Sequence, residues 1–167
     1  YSRSPKVKLY LNDKLIGEKE TGKENYTATF DVPYEPGTLK AVNSKGKEEF
    51  VLKTAGAPAA IRLIADRSKI KACKNDLSYV KIELVDKNGN VVPETSLPVK
   101  IECTGKGTVI AGGNAAYADM ESFRSLTPNT FRGKAIAIVQ PDGEKGDIQV
   151  KVSAKGLEDA SIVITTY

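Results

Sequence analysis

The chain has 167 residues, of which 40% are hydrophobic and 28% are charged, and its formal net charge is +4. This composition is typical of a folded protein and argues against an intrinsically disordered one. The 25 basic residues are interspersed with 21 acidic ones, without the lysine-rich runs and interleaved aromatics of a nucleic-acid-binding face. No apolar run reaches the roughly 20 residues needed to cross a bilayer. We therefore expect no nucleic-acid partner and no membrane insertion.

The chain opens at Tyr1 with neither an initiator methionine nor a signal peptide, so we expect an excised or processed piece. Cys73 and Cys103 are too few to define a disulfide framework. Cys103 falls on an apolar strand face and Cys73 on a polar one. We therefore predict that both thiols are unpaired.

The first 55 residues contain several short runs in which apolar and polar side chains alternate, the period of a half-buried strand. Val7, Leu9 and Leu11 form the apolar face of the first of them, and Asn12-Asp13 is a turn pair. The further strands predicted in this part are Lys14–Glu18, Ala28–Val32, Leu39–Ala41 and Phe50–Leu52. No segment has a helical period.

A stretch of small residues with one proline, Ala55–Ala59, interrupts the alternation and is the best candidate for a domain boundary. About 55 residues are at the lower limit for an independent hydrophobic core. The fold class expected is all-β, with two immunoglobulin-like β-sandwich domains in tandem. Residues 1–55 are expected to form a small sandwich, complete or incomplete, and residues 56–167 a second one.

The clearest strand of the second part is Ser78–Val85, in which Val80, Ile82 and Leu84 alternate with polar residues. It runs into Asp86–Asn90, where Asn-Gly supplies the positive φ angles of a tight turn. The remaining strands are predicted at 61–63, 70–72, 99–103, 108–110, 134–139, 148–152 and 161–165. This number of short strands is typical of an immunoglobulin-like sandwich.

Between Gly112 and Pro128 the alternation fails over a stretch too long for an idle connection. Met120 and Phe123 are large apolar residues there, and exposing each would forfeit about 1.5–3 kcal/mol of burial. We expect both to pack against the second sandwich. Asp119 and Glu121 would then be left to face solvent or another domain.

Catalytic chemistry has little support in the sequence, because the chain contains no histidine. A glycosidase can work with two carboxylates, and Asp119 and Glu121 share one loop, but a solvated acidic loop explains them better. Asp86–Asn90 resembles a calcium loop faintly and a hairpin turn fully. We expect no catalytic residue, no metal site and no cofactor in this chain.

Sugar-binding surfaces usually present aromatic platforms, and the seven tyrosines here are scattered. Tyr10 and Tyr79 are predicted on outward strand faces, where a surface or interdomain role and a sugar contact are both open. The candidate residues for an interdomain or sugar contact are Tyr10, Tyr117, Asp119, Glu121 and Phe123.

Several motifs resemble one family. Residues 7–17, VKLYLNDKLIG, resemble the V-x-L-x-x-N-G-x-x-L/I-G opening of the immunoglobulin-like domain that follows the catalytic barrel in family 2 glycoside hydrolases of the β-galactosidase type. Residues 32–41 resemble the V-P-Y-x-P-G-x-L-x-A segment of the same domain. The linker 53–63 is similar to the junction with the next sandwich. Gly113-Asn114, Glu121-Ser122-Phe123 and residues 131–135 resemble the G-N…E-x-F…F-x-G-x-A pattern of the C-terminal domain.

The chain departs from the family at Asp13, where glycine is usual, and at residues 113–116, where an N-G-D run is common. The resemblance implies a β-galactosidase-like parent enzyme, of bacterial origin and periplasmic or secreted, that hydrolyses O-glycosidic bonds. The catalytic glutamates of the family lie on the barrel, and no position here matches them. The expected partner is that barrel in the same parent chain, and the expected role is structural. A carbohydrate-binding module and an immunoglobulin-like segment of a bacterial adhesin remain the alternatives.

Overall fold

The computed structural model describes all residues, 1–167. Twelve β-strands carry the fold, and the predicted all-β class is confirmed. The structure contains no helix with the length and hydropathy that a transmembrane helix needs. The chain divides into two compact units, Tyr1–Thr54 and Ala55–Tyr167.

The first unit is built on one antiparallel sheet. Its strands are β1 (Lys6–Leu11), β2 (Lys14–Glu20), β3 (Thr38–Asn43) and β4 (Glu49–Lys53), in the order β2-β1-β3-β4. Leu9 and Leu11 are buried, and directly opposed residues share a face of a sheet. One face is therefore apolar across three strands, and its members are Leu9, Leu11, Leu39, Ala41, Phe50 and Leu52.

The turn between β1 and β2 needs a left-handed backbone at two successive residues. Asn12 has a φ of 49° and Asp13 a φ of 64°, which is the pattern of a type I′ hairpin turn. Asn12 also accepts a hydrogen bond from the Thr38 amide (2.8 Å) and donates one to the Pro36 carbonyl (3.1 Å). Asn12 therefore ties this turn to the one before β3, whereas Asp13 only bears the conformational cost.

Replacing Asp13 by glycine is expected to stabilise the first unit by about 0.5–1 kcal/mol. The left-handed conformation costs a side-chain-bearing residue about 1–2 kcal/mol, and part of that gain is lost to the greater freedom of glycine in the unfolded chain. The Asp13 carboxylate is highly exposed and 4.0 Å from Lys40, so its removal costs little. Urea unfolding measures the effect. Asp13→Ala is the control, because it removes the same carboxylate without relieving the backbone and should not stabilise.

The predicted strand at Ala28–Val32 is wrong. Its alternate side chains are half-buried, but the segment belongs to no strand. A Cβ added to Gly17 would lie 3.7 Å from the Phe30 ring, and Gly17 opposes Leu9 on the apolar face. The Lys19 ammonium donates to the Thr29 carbonyl at 2.6 Å. The contacts of Phe30 and Thr29 therefore hold residues 28–32 against the apolar face of the sheet, beside β2. In this position the segment forms no backbone ladder with another strand.

The second unit is a two-layered β-sandwich. Its strands are β5 (Ala60–Ala65), β6 (Lys69–Ile70), β7 (Ser78–Val85), β8 (Val99–Gly105), β9 (Gly107–Gly113), β10 (Lys134–Pro141), β11 (Gly146–Ala154) and β12 (Ala160–Thr166). One sheet has the order β5-β7-β10-β9 and the other β6-β12-β11-β8. All pairings are antiparallel except β6 with β12. Apart from β6, which is an additional strand, this is the strand order of the constant-type immunoglobulin arrangement.

The core of the second unit lies between the two sheets. Most inward-facing positions of the alternating strands contribute one aliphatic side chain, and many of these are fully buried. The fully buried aliphatic residues include Ile70, Val80, Ile82, Leu84, Val139, Ile148, Val150, Val152 and Ile164. The alternation predicted for Ser78–Val85 therefore points its apolar residues inward, as expected.

Both cysteines are free thiols. Cys73 is exposed, whereas Cys103 is half-buried and packs against the core. Burial raises the pKa of the Cys103 thiol above its ordinary value.

Asp86 closes the hairpin that follows β7 and fastens it to the start of the second unit. Its carboxylate accepts hydrogen bonds from the backbone amides of Gly56 (2.9 Å), Asn88 (2.9 Å) and Asn90 (2.8 Å) and from the Asn90 side chain (3.0 Å). The Gly56 amide, the Asn90 side chain and the other two amides lower the pKa of Asp86 to about 2. The turn predicted at Asp86–Asn90 is confirmed, but of Asn88 and Gly89 only Gly89 has a positive φ, of 78°.

Candidate functional site

The predicted irregular stretch begins two residues later than expected, because Gly112 and Gly113 belong to β9. We call residues 114–130 the edge segment. The Phe123 carbonyl accepts a hydrogen bond from the Gly112 amide (2.7 Å), and the Leu126 carbonyl accepts one from the Ile101 amide (2.8 Å). Since β9 and β8 are the last strands of the two sheets, the edge segment covers an open edge of each. Covered edges cannot pair with other chains.

The Asn114 side chain organises the edge segment. Its amide nitrogen donates to the Asp119 carboxylate (2.6 Å) and to the Asn129 carbonyl (2.9 Å), and its oxygen accepts from the Ala116 amide (2.7 Å). The Asn129 side chain donates to Glu121 at 2.8 Å, and the Glu121 amide donates to Asp119 at 2.9 Å. Asp119 and Glu121 are both exposed, yet each carboxylate holds the segment together. They act here as structural acceptors.

The prediction that Met120 and Phe123 pack against the sandwich is wrong. Met120 is 95% exposed and Phe123 70% exposed, and Tyr117 is exposed as well. The Phe123 ring lies against β9 at Gly113, where an added Cβ would lie 2.9 Å from the ring. Polar and backbone hydrogen bonds, not apolar burial, order the segment, so its apolar side chains are free to meet another surface.

A small hollow lies between the edge segment and β9. Its volume is about 30 Å³, and its lining residues are Gly112, Gly113, Asn114, Ala116, Asp119, Glu121, Ser122, Phe123 and Pro128. Pockets for small ligands are about 300–1,000 Å³, and this hollow has room for little more than a water molecule. The arrangement is therefore suited to surface contact and not to enclosing a sugar ring.

Tyr10, the candidate in the first unit, is half-buried on β1. The Lys40 ammonium lies 5.6 Å from the centroid of its ring, within the range of a cation–π contact. One ring face is therefore occupied by Lys40. This geometry does not present Tyr10 as an open platform for a sugar.

The outer face of the β5-β7-β10-β9 sheet carries exposed apolar residues, of which the sequence pattern had indicated only Tyr79. Ile136 opposes Gly113 in the sheet and shares its face, so the Phe123 ring lies beside Ile136. Ile64, Tyr79 and Ile136 are between 38% and 42% exposed. The signal in the sequence was weak, because these residues are separated along the chain and only the strand register brings them onto one face.

Glu83 is the most buried carboxylate on the same outer face. Arg62 donates to one of its oxygens from Nε (2.9 Å) and Nη2 (2.6 Å), and Lys81 lies 3.1 Å from the other. Burial raises the pKa of Glu83, but the hydrogen bonds from Arg62 and Lys81 outweigh it and hold the pKa below its ordinary value.

No group of three or more His, Cys, Asp or Glu side chains is placed to hold a metal ion.

Replacing Asn114 by alanine is expected to loosen the edge segment. One lost hydrogen bond is worth about 1 kcal/mol, so opening should become about fivefold more frequent or more. The rate of tryptic cleavage at Arg124 measures this opening. Tyr117→Ala, which removes a 99% exposed side chain, should leave the rate unchanged. Equal rates in Asn114→Ala and wild type would show that Asn114 does not order the segment.

Comparison with known proteins places both parts of the chain. Residues 61–163 match the family described as glycoside hydrolase family 2 C-terminal domain 5. Residues 1–50 match a domain of unknown function, DUF4982. Among curated proteins, the chain is 32% identical to the β-galactosidase BoGH2A of Bacteroides ovatus, over 99% of this chain and 20% of that protein. The chain thus spans about a fifth of the length of this relative.

Solved structures agree with the sequence relatives. A glycosyl hydrolase family 2 member from Bacteroides cellulosilyticus is 37% identical, with a TM-score of 0.89 over 99% of this chain and 23% of that one. A β-glycosidase from Bacteroides vulgatus is 26% identical, with a TM-score of 0.91 over 99% of this chain and 22% of that one. The family match covers well over half of the residues. The chain therefore belongs to the C-terminal domain family of glycoside hydrolase family 2 enzymes.

Proposed function

We propose that the chain is the non-catalytic C-terminal part of a β-galactosidase-like enzyme, and that it supports the catalytic domain of the same polypeptide structurally. The observation that carries this proposal is the family match over residues 61–163. The whole chain also aligns with only 20% of the Bacteroides ovatus β-galactosidase. From the resemblance alone, we also propose that the parent enzyme is exported to the periplasm or secreted.

The contact surface proposed for the catalytic domain is the outer face of the β5-β7-β10-β9 sheet with the adjoining part of the edge segment. Phe123, Ile136 and Ile64 contribute exposed apolar area there, and the Arg62–Glu83 pair lies at one end. Exposed apolar patches bordered by polar residues are characteristic of protein interfaces. The hydrogen bonds of Asn114 fix the backbone that presents Phe123, which lowers the entropy lost on docking.

The test uses two polypeptides, the 167-residue chain and the parent enzyme truncated before it. Isothermal titration calorimetry should show that they bind, and Phe123→Asp combined with Ile136→Asp should abolish binding. Val163→Asp is the matched control, because Val163 is 47% exposed on the other sheet. Binding that is unaffected by the double variant would refute the proposed surface, and no binding would refute the supporting role.

The 167-residue chain alone is expected to hydrolyse no chromogenic β-galactoside. Turnover that Glu121→Gln abolishes would refute the non-catalytic assignment. A glycan array separates the structural role from a sugar-binding one, because specific binding of a glycan by the isolated chain would favour the carbohydrate-binding alternative.

A further inference from the structure

Strand β4 is an edge strand, and the backbone hydrogen bonds to β3 show which of its residues direct their backbone groups toward the free edge. The Thr54 amide donates to the Gly37 carbonyl at 2.8 Å, and this bond marks residues 37 and 54 as a hydrogen-bonded pair. Alternate antiparallel pairs share this character, so Leu52 and Phe50 direct their backbone groups toward β3. The backbone groups of the other three residues, Glu49, Val51 and Lys53, point away from the sheet.

The edge of β4 lacks the protection found at the edges of β8, β9 and β2. The edge segment covers β8 and β9. Strand β2, at the opposite side of its sheet, has a register shift opposite Leu9/Tyr10 and is flanked by the segment that Lys19 binds. Strand β4 pairs with β3 without a shift, contains no proline, and all five of its residues are exposed. Such an edge is a template for another strand.

The sequence of β4 is complementary to itself in one antiparallel register. If two copies pair about Val51, Glu49 lies opposite the partner's Lys53, and Lys53 lies opposite the partner's Glu49. Phe50 then lies opposite the partner's Leu52, on the apolar face that carries Leu39 and Ala41. Opposite charges and apolar pairs directly across a ladder stabilise it, whereas like charges destabilise it.

Hydrogen-bond parity is compatible with the same register. When the pairing is centred on Val51, the outward-facing residues 49, 51 and 53 lie opposite one another. Directly opposed outward-facing residues then exchange both of their backbone hydrogen bonds, and Phe50 and the partner's Leu52 form the closely spaced pairs between them. Charge, hydrophobic pattern and backbone parity therefore agree.

We infer that β4 is a homodimerisation edge, at which two copies of this chain join their first-unit sheets into one eight-stranded antiparallel sheet across a twofold axis. The occupant of the edge is a second copy because the register is self-complementary, as an isologous interface requires. The interface also covers Phe50 and Leu52, which are 68% and 55% exposed in the single chain.

Sedimentation velocity of the 167-residue chain over a wide concentration range is the first test. Wild type should show a monomer–dimer equilibrium, and Val51→Pro should be monomeric throughout. The Val51 amide faces the free edge, so proline there removes no hydrogen bond of the first unit. Val51→Thr keeps the amide and should still dimerise. A monomeric wild type, or a dimer that Val51→Pro leaves intact, would overturn the inference.

Charge reversal tests the register without using proline. Glu49→Lys and Lys53→Glu each place like charges opposite one another twice and should weaken dimerisation. The double variant restores opposite charges and should restore the dimer. Failure of the double variant to recover, with both single variants folded, would overturn the proposed register.

A single cysteine at the twofold axis gives a geometric test in a Cys73→Ser background. Val51→Cys meets its own copy at a Cα separation of about 5.5 Å, which suits a disulfide. Glu49→Cys lies on the same face, but its copy is displaced by four residues, about 13 Å along the strand. Oxidation should therefore cross-link Val51→Cys and not Glu49→Cys, and the reverse result would overturn the register.

Discussion

Replacing Gly133 by alanine is expected to destabilise the second unit by about 2–5 kcal/mol, the sum of a backbone and a steric cost. Gly133 has a φ of 71° in the turn before β10. An added Cβ would lie 2.3 Å from the Val92 carbonyl oxygen. The turn cannot move aside easily, because the Gly133 amide donates to the Thr95 carbonyl (2.9 Å) and its carbonyl accepts from the Leu84 amide (2.8 Å).

Gly156→Ala is the matched control for this prediction. Gly156 has a φ of 81°, but nothing lies within 4 Å of its added Cβ. It should therefore show only the backbone cost, about 1–2 kcal/mol. Urea unfolding of the two variants measures the difference. If Gly133→Ala costs no more than Gly156→Ala, the close approach of the Val92 carbonyl does not constrain this turn.

Replacing Arg62 by alanine is expected to destabilise the second unit by about 3 kcal/mol. Removing one partner of a fully buried ion pair costs about 3–5 kcal/mol because the other charge stays buried. The lower end applies here because Arg62 is 42% exposed and Lys81 still faces Glu83. The variant also loses the hydrogen bond from Arg62 to the Gly89 carbonyl (2.9 Å). Lys151→Ala breaks an exposed pair with Asp159 (2.7 Å) and should change stability little.

The effect of Arg62→Ala is also expected to depend on pH. The pKa of Glu83 lies below its ordinary value of 4.5 in the folded chain, so the carboxylate contributes stability that is complete above pH 4.5 and is lost as the pH falls through the lowered pKa. The stability gap between wild type and Arg62→Ala should therefore be largest near neutral pH and narrow below pH 4.5. A gap that is constant down to low pH would show that the charge of Glu83 does not matter.

Local sequence patterns were sufficient to predict most strands. Alternation over Ser78–Val85 and Ile148–Val152 predicts half-buried strands, because side chains in a strand point alternately to two faces. The Asn12-Asp13 and Asp86–Asn90 turns were readable because these residue types tolerate or stabilise tight turns locally. The structure also explains the glycine in the family motif at residues 131–135. Gly133 has a positive φ, and the Val92 carbonyl leaves no room for a side chain.

Predictions from the sequence pattern were wrong where tertiary contacts decide what a segment packs against. The segment Ala28–Val32 alternates as a strand does, but the Lys19 ammonium and the Phe30 ring hold it across a sheet face without a ladder. In the edge segment, burial of Met120 and Phe123 was expected from their hydrophobicity. The hydrogen bonds of Asn114 and Asn129 order that segment instead, and periodicity carries no information about such contacts.

The sequence by itself determined that the chain is all-β, where most strands and turns lie, and which family it belongs to, because each of these depends on short-range patterns and motifs. The tertiary structure alone decided which edges are covered and which apolar residues share a face. Strand order and register bring residues from distant parts of the chain together, and the outer patch around Ile136 and the free edge of β4 exist only at that level.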